Sequence, residues 1–174
     1  MKAKMVMMIA SMLGMLAVNA AEEIYTFPGD SGFEKPLKTG WTPNGADSEK
    51  DCSIIPEGRN GNALQIDSQN KSSEVYSTQP VQINQKTDKI RFSVYVKGSG
   101  KFNVFLFCYA PTYIGTVSLI HGKAEEKWKE YKVEYQFDGK QFKQEDLKVR
   151  VAFNVPKGSK VVFDDMVCER ISEE

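Results

Sequence analysis

Two adjacent carboxylates, Asp164 and Asp165, interrupt the apolar stretch VVFDDMVCERI at positions 161–171. Successive side chains of a β-strand point to opposite faces of the sheet. If one face is core, one of these carboxylates lies at or near it, where an unpaired charge is very costly. The sequence therefore predicts a neutralising partner, either a bound cation or protein groups such as Lys160, Arg170 or backbone N–H donors.

A second group of interest consists of aromatic and polar side chains at outward strand positions. Exposed sheet faces are usually polar, so a set of aromatic rings on one of them predicts a binding surface. Rings suit sugars, because the C–H faces of a pyranose lie flat on them while polar side chains around the rim fix the orientation. The ligand-binding residues predicted from this pattern are Tyr76, Arg91, Tyr95, Phe105, Phe107, Tyr109, Arg150 and Asn154. In the open alternative, the long connection 110–127 covers the two phenylalanines, which then form a second small core.

The sequence contains few groups of residues that could catalyse a reaction. A glycosidase needs two carboxylates roughly 5–10 Å apart across a cleft, and Glu125-Glu126 and Glu145-Asp146 lie in Lys-rich stretches typical of solvated surface. The single histidine, His121, has no obvious nucleophile partner, and no HExxH or CxxC spacing occurs. We therefore expect a protein without enzymatic activity.

β-Strands must position these side chains, and alternating apolar and polar residues recur along the chain. Clear examples are KIRFSVYV at 89–96, EYKVEYQF at 130–137 and VRVAFNV at 149–155, while KFNVFLFCYA at 101–110 is apolar on both faces. Gly-rich clusters such as KGSGK at 97–101 predict turns between the strands. The expected fold class is all-β: an antiparallel two-sheet β-sandwich of the jelly-roll kind, formed as a single domain by residues 21–174.

The N-terminus has the pattern of a secretory signal peptide over residues 1–20. A basic start is followed by the apolar run MVMMIASMLGMLAV and a small-residue cleavage signal, Val18-Asn19-Ala20. The run is too short to favour a membrane-spanning helix. We expect export to the periplasm or the medium. Without Lys2 and Lys4 the 23 basic side chains become 21 against 23 acidic ones, a net charge of −2, which does not favour a nucleic acid or an anionic membrane as partner.

Three cysteines follow the predicted cleavage point. An oxidising compartment permits disulfides, but an odd count leaves one thiol free. Cys108 lies within an apolar strand and is predicted to be a buried small hydrophobe. Cys52 and Cys168 are therefore the candidate disulfide.

The order of several short motifs resembles a known family. GFE at 32–34, GW at 40–41, Gly-x-Ala-Leu at 61–64, KIRFSVYVKG at 89–98, a Trp and a Tyr at 128 and 131, and FDD at 163–165 follow one another along the chain. Together they resemble carbohydrate-binding modules of the family 4/9 (CenC-like) type, within the galactose-binding-like jelly rolls. The resemblance implies a two-sheet sandwich, a structural calcium ion and a sugar-binding cleft across one sheet.

The resemblance also implies which residues bind the calcium. By position, the side chain of Asp164 and the backbone carbonyls of Gly32 and Asn62 are the ligands, with Glu34 as a further carboxylate. Calcium takes six to eight oxygen ligands and mixes carboxylates with carbonyls. An ion held this way would stabilise the fold by joining both chain ends to a turn.

In similar modules, cleft amides occupy the positions of Arg150 and Asn154. The loop APTYIGT lies where such modules often carry a ligand-stacking tyrosine, so the resemblance adds Tyr113 to the predicted ligand-binding residues. A cleft tyrosine is replaced here by Asn44 and a cleft arginine by Phe105. Three functions stay open. The first is non-catalytic binding of a polysaccharide or oligosaccharide by a monomer. The second is an interaction domain for a cell-envelope protein, and the third is a cryptic hydrolase.

Overall fold

The structure, a computed structural model, describes residues 23–26 and 30–172, and the predicted signal peptide lies outside them. The described residues are mostly β-strand with one short helix. In chain order the elements are β1 Glu23–Thr26, β2 Trp41–Pro43, α1 Ala46–Asp51, β3 Cys52–Ile55, β4 Ala63–Ser68, β5 Ser73–Ser77, β6 Val81–Asn84, β7 Asp88–Tyr109, β8 Tyr113–Ala124, β9 Lys129–Gln136, β10 Asp146–Val155 and β11 Ser159–Ser172. Within this part of the chain, no helix has the length and apolar character needed to cross a membrane.

The strands form two antiparallel sheets. Sheet A has the order β3-β4-β11-β7-β9, and β1 pairs with the end of β11. Sheet B has the order β2-β5-β10-β7-β8, and β6 pairs with the start of β10. This architecture confirms the predicted antiparallel β-sandwich.

Strand β7 belongs to both sheets. Its first half pairs with β9 and β11 in sheet A, and its second half pairs with β8 and β10 in sheet B. The crossing lies at Gly98 and Gly100, whose φ angles are +133° and +94°, a region that L-residues rarely adopt. A Cβ at Gly98 would also collide with the carbonyl oxygen of Lys160. The predicted turn at 97–101 is therefore wrong, because the glycines bend one continuous strand.

The core between the sheets is rich in aromatic rings. Phe153 of sheet B and Phe163 of sheet A have ring centroids 4.4 Å apart, and Trp41 lies 5.2 Å from Phe153. The indole N–H of Trp41 donates to the carbonyl oxygen of Asp30 at 3.1 Å, which satisfies its one buried polar group. This core fixes the side-chain alternation of both sheets, so every second residue of β7 and β10 must face outward.

The candidate disulfide between Cys52 and Cys168 is wrong. Both thiols are free and buried, because β4 separates β3 from β11 in sheet A. Two strand spacings amount to about 10 Å, beyond the Cα separation that a disulfide tolerates. Cys108 is fully buried, as predicted.

Candidate functional site

The outer face of sheet B collects most of the predicted ligand-binding residues. In the second half of β7, Val104, Leu106 and Cys108 are fully buried, so Phe105 and Phe107 point outward and are half-exposed. Antiparallel register then sets their neighbours across the strands. The outward residues that this register brings together are Glu74 and Tyr76 of β5, Asn103, Phe105, Phe107 and Tyr109 of β7, and Lys148, Arg150 and Asn154 of β10.

Four aromatic side chains form a continuous cluster on this face. The ring centroids of Tyr76 and Phe107 are 6.1 Å apart, those of Phe107 and Tyr113 are 6.0 Å apart, and those of Tyr109 and Tyr113 are 5.8 Å apart. Tyr113 is 56% exposed. The four rings, with Asn44 and Glu74, line a pocket of about 340 Å³. The connection 110–127 does not cover it, because most of that segment forms strand β8 beside β7.

Arg150 lies beside this pocket and is half-buried. Its guanidinium carbon is 5.5 Å from the ring centroid of Tyr76 and 5.7 Å from that of Tyr109, within the range of cation–π attraction. One guanidinium N–H donates to the carbonyl oxygen of Ser77 at 3.4 Å. Burial raises the pKa of Tyr109, against a smaller opposing effect of the Arg150 charge. Its hydroxyl is therefore protonated at neutral pH and can both donate and accept hydrogen bonds.

A row of polar side chains continues the same face. Asn103 donates to Asn154 at 3.0 Å, and the Nδ1 atom of His121 is 2.6 Å from Oδ1 of Asn103. The hydroxyl of Ser118 is 2.7 Å from the Nε2 atom of His121. Because Oδ1 of Asn103 can only accept, Nδ1 carries the proton in the neutral ring and Nε2 accepts from Ser118. The row presents hydroxyl, amide and imidazole groups next to the half-exposed ring of Phe105, which lies 6.1 Å from that of His121.

The expectation that His121 has no nucleophile partner is wrong. Residues three apart in a regular strand point to opposite faces, so Ser118 and His121 should not meet. The register between β7 and β8 shifts between Val104 and Phe105. This β-bulge adds one residue to β8 and brings both side chains to the outer face.

Arg91 and Tyr95 do not join this surface, so the prediction that they share it with Tyr109 is wrong. Both lie on the first half of β7, where they pair with β9 and β11 of sheet A. Their outward direction is therefore the opposite side of the sandwich. Arg59 covers Tyr95 there, with its guanidinium carbon 3.6 Å from the ring centroid.

The three segments that carry the predicted calcium ligands, 30–34, 59–62 and 164–166, contact one another at one corner of the sandwich. Both oxygens of Glu34 accept hydrogen bonds from Asn62, at 3.0 Å from its backbone N–H and 3.2 Å from its side-chain amide. The backbone N–H of Met166 donates to the carbonyl oxygen of Ser31 at 2.9 Å. Segment 30–34 thus contacts both the Gly-x-Ala-Leu turn and the Asp164–Met166 stretch of β11, as a shared ion site requires.

Both aspartates also have partners within the protein that stabilise their negative charges. Asp164 is fully buried, and its carboxylate accepts backbone N–H groups of Arg59 at 2.6 Å, Asn60 at 3.3 Å and Asp165 at 2.7 Å. Asp165 points outward to the guanidinium of Arg59 at 2.6 Å and the amide of Asn60 at 2.9 Å. Among the described residues, no three His, Cys, Asp or Glu side chains gather as a metal cluster. Calcium at this corner therefore stays a prediction that depends on backbone carbonyls as further ligands.

Neither a protein-family profile nor a curated protein sequence matches this chain. Several solved structures are similar in fold. A family 61 carbohydrate-binding module in complex with β-1,4-galactotriose is 14% identical with a TM-score of 0.51, over 83% of this chain and 97% of that one. The family 22 and catalytic modules of Clostridium thermocellum xylanase 10B, complexed with xylohexaose, are 18% identical with a TM-score of 0.57, over 80% of this chain and 27% of that one.

A cyclase from Fischerella sp. TAU is 13% identical with a TM-score of 0.61, over 87% of this chain and all of that one. At such identities the likeness shows the fold alone. The chain has the jelly-roll fold of carbohydrate-binding modules, and this fold also occurs in enzymes. Assignment to the family 4/9 type in particular stays a prediction.

Proposed function

We propose that this protein binds carbohydrate without catalysing a reaction, and that the ligand lies on the outer face of sheet B. The observation that carries the proposal is the contiguous cluster of Tyr76, Phe107, Tyr109 and Tyr113 around one open pocket. Contiguous apolar surface on a monomer usually marks a binding site.

The chemistry next to the cluster favours sugars over purely apolar ligands. Glu74 and Asn44 line the same pocket, joined by an amide donation of 2.6 Å. The row of Asn103, Asn154 and Ser118 adds further donors and acceptors. Rings for pyranose faces and a few fixed polar groups for hydroxyls are what a sugar site needs. The pocket volume of about 340 Å³ lies within the range of small-molecule sites.

A binding screen with Tyr113→Ala tests the proposal. The protein is run through gels containing different soluble polysaccharides, and the dissociation constant of any retained ligand is measured by calorimetry. Covering roughly 100 Å² of the Tyr113 ring contributes about 2.5 kcal/mol at 25 cal/mol per Å². We therefore expect Tyr113→Ala to weaken binding at least tenfold. Tyr95→Ala, on the opposite face, is the matched control and should bind like the wild type.

Two outcomes would contradict this assignment. The first is equal weakening by both substitutions, which would place the ligand elsewhere. The second is absence of binding to every glycan together with recovery of a stoichiometric cell-envelope protein, which would favour an interaction domain.

A second candidate function, acyl transfer, is favoured by one observation. Ser118, His121 and Asn103 are hydrogen-bonded in the order of nucleophile, base and orienting group. Ser118 and His121 are both exposed, so the same groups are equally available to bind sugar hydroxyls. A fluorophosphonate probe separates the two functions. An adduct on Ser118 that disappears in His121→Ala would support the enzyme, and an unmodified intact mass would support binding only.

We further propose that the protein is exported and that calcium occupies the corner around Asp164. Export is supported by the pattern of residues 1–20. Calcium is supported by the contacts that join segment 30–34, the turn 59–62 and residues 164–166, and its contribution would be to neutralise the carboxylates of Glu34 and Asp164. N-terminal sequencing of the mature protein and metal analysis after purification test these two proposals.

A further inference from the structure

Arg150 differs from the other arginines of the chain in its electrostatic environment. Arg59 lies 2.6 Å from Asp165, Arg91 lies 3.4 Å from Glu169, and Arg170 lies 3.9 Å from Asp88. Of the four arginines, all of which are in the described residues, Arg150 alone has no carboxylate within ion-pair distance.

The missing counter-charge matters because Arg150 is half-buried against two rings. A guanidinium has five N–H donors in a planar fork, and the structure gives it one protein acceptor, the carbonyl oxygen of Ser77. The cation–π contacts compensate part of its desolvation but accept none of the remaining donors. The guanidinium of Arg150 therefore keeps a positive charge and N–H donors that could bind a ligand.

A second cation lies on the same face. Lys148 precedes Arg150 by two residues on β10 and pairs in register with Tyr109. It is exposed, and no described carboxylate lies within ion-pair distance of it. The nearest acid that lines the pocket, Glu74, pairs with Asn154, about 13 Å along the strand from Arg150 at 3.3 Å per residue. Positive charge beside the pocket thus lies near Tyr109, and the negative charge that lines the pocket lies at Glu74. The exposed carboxylate of Asp146, two residues before Lys148 on β10, accepts from the side-chain amide of Asn84 at 3.3 Å.

We infer that the sugar bound here carries a carboxylate, as the hexuronate residues of acidic polysaccharides do, and that this carboxylate binds at Arg150 and Lys148. This inference rests on the proposed carbohydrate-binding function. A planar guanidinium matches a carboxylate with two parallel N–H···O bonds, which a neutral hydroxymethyl group cannot accept in the same way. Glu74 and Asn44 at the other end are suited to hydroxyl groups, and the carboxylate of Glu74 would repel a second carboxylate.

The inference is tested with pairs of polysaccharides that differ only in the carboxylate. Polygalacturonate, alginate and glucuronan are each compared with their carboxyl-reduced forms, which keep the backbone and linkage but end in a hydroxymethyl group. Neutral galactan and xylan complete the panel. We expect at least one acidic polymer to bind, and its reduced form to bind at least tenfold more weakly.

Variants separate a specific site from general charge attraction. Arg150→Gln should remove most of the preference for the acidic form, with Lys148→Gln having a smaller effect. Arg91→Gln removes the same charge from the opposite face and should leave the preference unchanged. Equal effects of Arg150→Gln and Arg91→Gln would overturn the inference, because attraction of the polyanion would then be non-specific.

The remaining outcomes distinguish this inference from the function on which it rests. Equal or tighter binding of neutral polymers would overturn the acidic-sugar assignment and leave carbohydrate binding in place. Absence of binding across the acidic and neutral panel would overturn carbohydrate binding itself.

Discussion

Replacing Asp164 by asparagine tests how the buried carboxylate is held. The carboxylate is fully buried and accepts three backbone N–H groups, from Arg59, Asn60 and Asp165. An amide of the same shape has one accepting oxygen, so at least one N–H would face another donor. Hydrogen bonds to a charged group contribute about 1.5–3 kcal/mol each and neutral ones about 1 kcal/mol. We expect Asp164→Asn to lower the free energy of unfolding by about 2–4 kcal/mol.

Urea unfolding followed by tryptophan fluorescence measures this loss, with Asp165→Asn as the control. Asp165 is partly exposed, and its carboxylate accepts from the side chains of Arg59 and Asn60, so a loss of at most about 1 kcal/mol is expected. Its φ of +47° suits asparagine. A loss below 0.5 kcal/mol for Asp164→Asn would refute the role assigned to the three N–H groups.

Thermal unfolding of the wild type and of Asp164→Asn, with and without chelator, tests calcium. If an ion occupies the corner, chelator lowers the melting temperature of the wild-type protein and leaves Asp164→Asn unaffected. Unchanged melting of the wild type, together with the loss caused by Asp164→Asn, would mean that backbone donors hold the carboxylate without calcium.

Three further predictions concern the fold. Gly98→Ala should lower the free energy of unfolding by about 2 kcal/mol or more, because the new Cβ would be strained at positive φ and would collide with the backbone of Lys160. Gly45→Ala is the control: Gly45 also has positive φ, but nothing lies near its Cβ position, so a smaller loss is expected. A larger loss for Gly45→Ala than for Gly98→Ala in urea unfolding would contradict the crossing of β7 at Gly98. The three buried thiols should resist a thiol reagent such as dithionitrobenzoate at pH 8 and react fully in denaturant; fast reaction in the native state would show that they are accessible. Burial raises the pKa of Cys52 and Cys108 from 9.0 to about 12. Above pH 9 the folded state therefore keeps protons that the unfolded state loses, so the free energy of unfolding should decrease as the pH rises from 9 to 12. A urea midpoint that does not change over this pH range would contradict the burial of these thiols.

Along the second half of β7 and along β10, alternation in the sequence predicts which residues of the candidate site face outward. One surface holds Phe107, Tyr109, Arg150 and Asn154, because these residues alternate along β7 and β10 with buried residues that face the core. This alternation distinguishes side chains that face the core from those that face outward, but it does not show to which sheet a strand belongs. Tyr95 also lies at an outward position of β7, yet it faces out from the other sheet because β7 crosses between the two sheets.

Features that depend on strand order or register could not be predicted from local patterns. The separation of Cys52 from Cys168 follows from the insertion of β4 between their strands. The contact between Ser118 and His121 follows from a bulge, which changes parity and has no proline or glycine at its position to mark it. The absence of an acidic partner for Arg150 is equally a product of the three-dimensional arrangement.

Amide chemical-shift mapping of the protein titrated with a retained glycan tests most directly whether the outer face of sheet B binds the ligand. Shift changes should concentrate at Tyr76, Phe107, Tyr109, Tyr113 and Arg150, with little change in β9 or in the first half of β7. Changes centred on β9 or on the outer face of sheet A would contradict the proposed binding face.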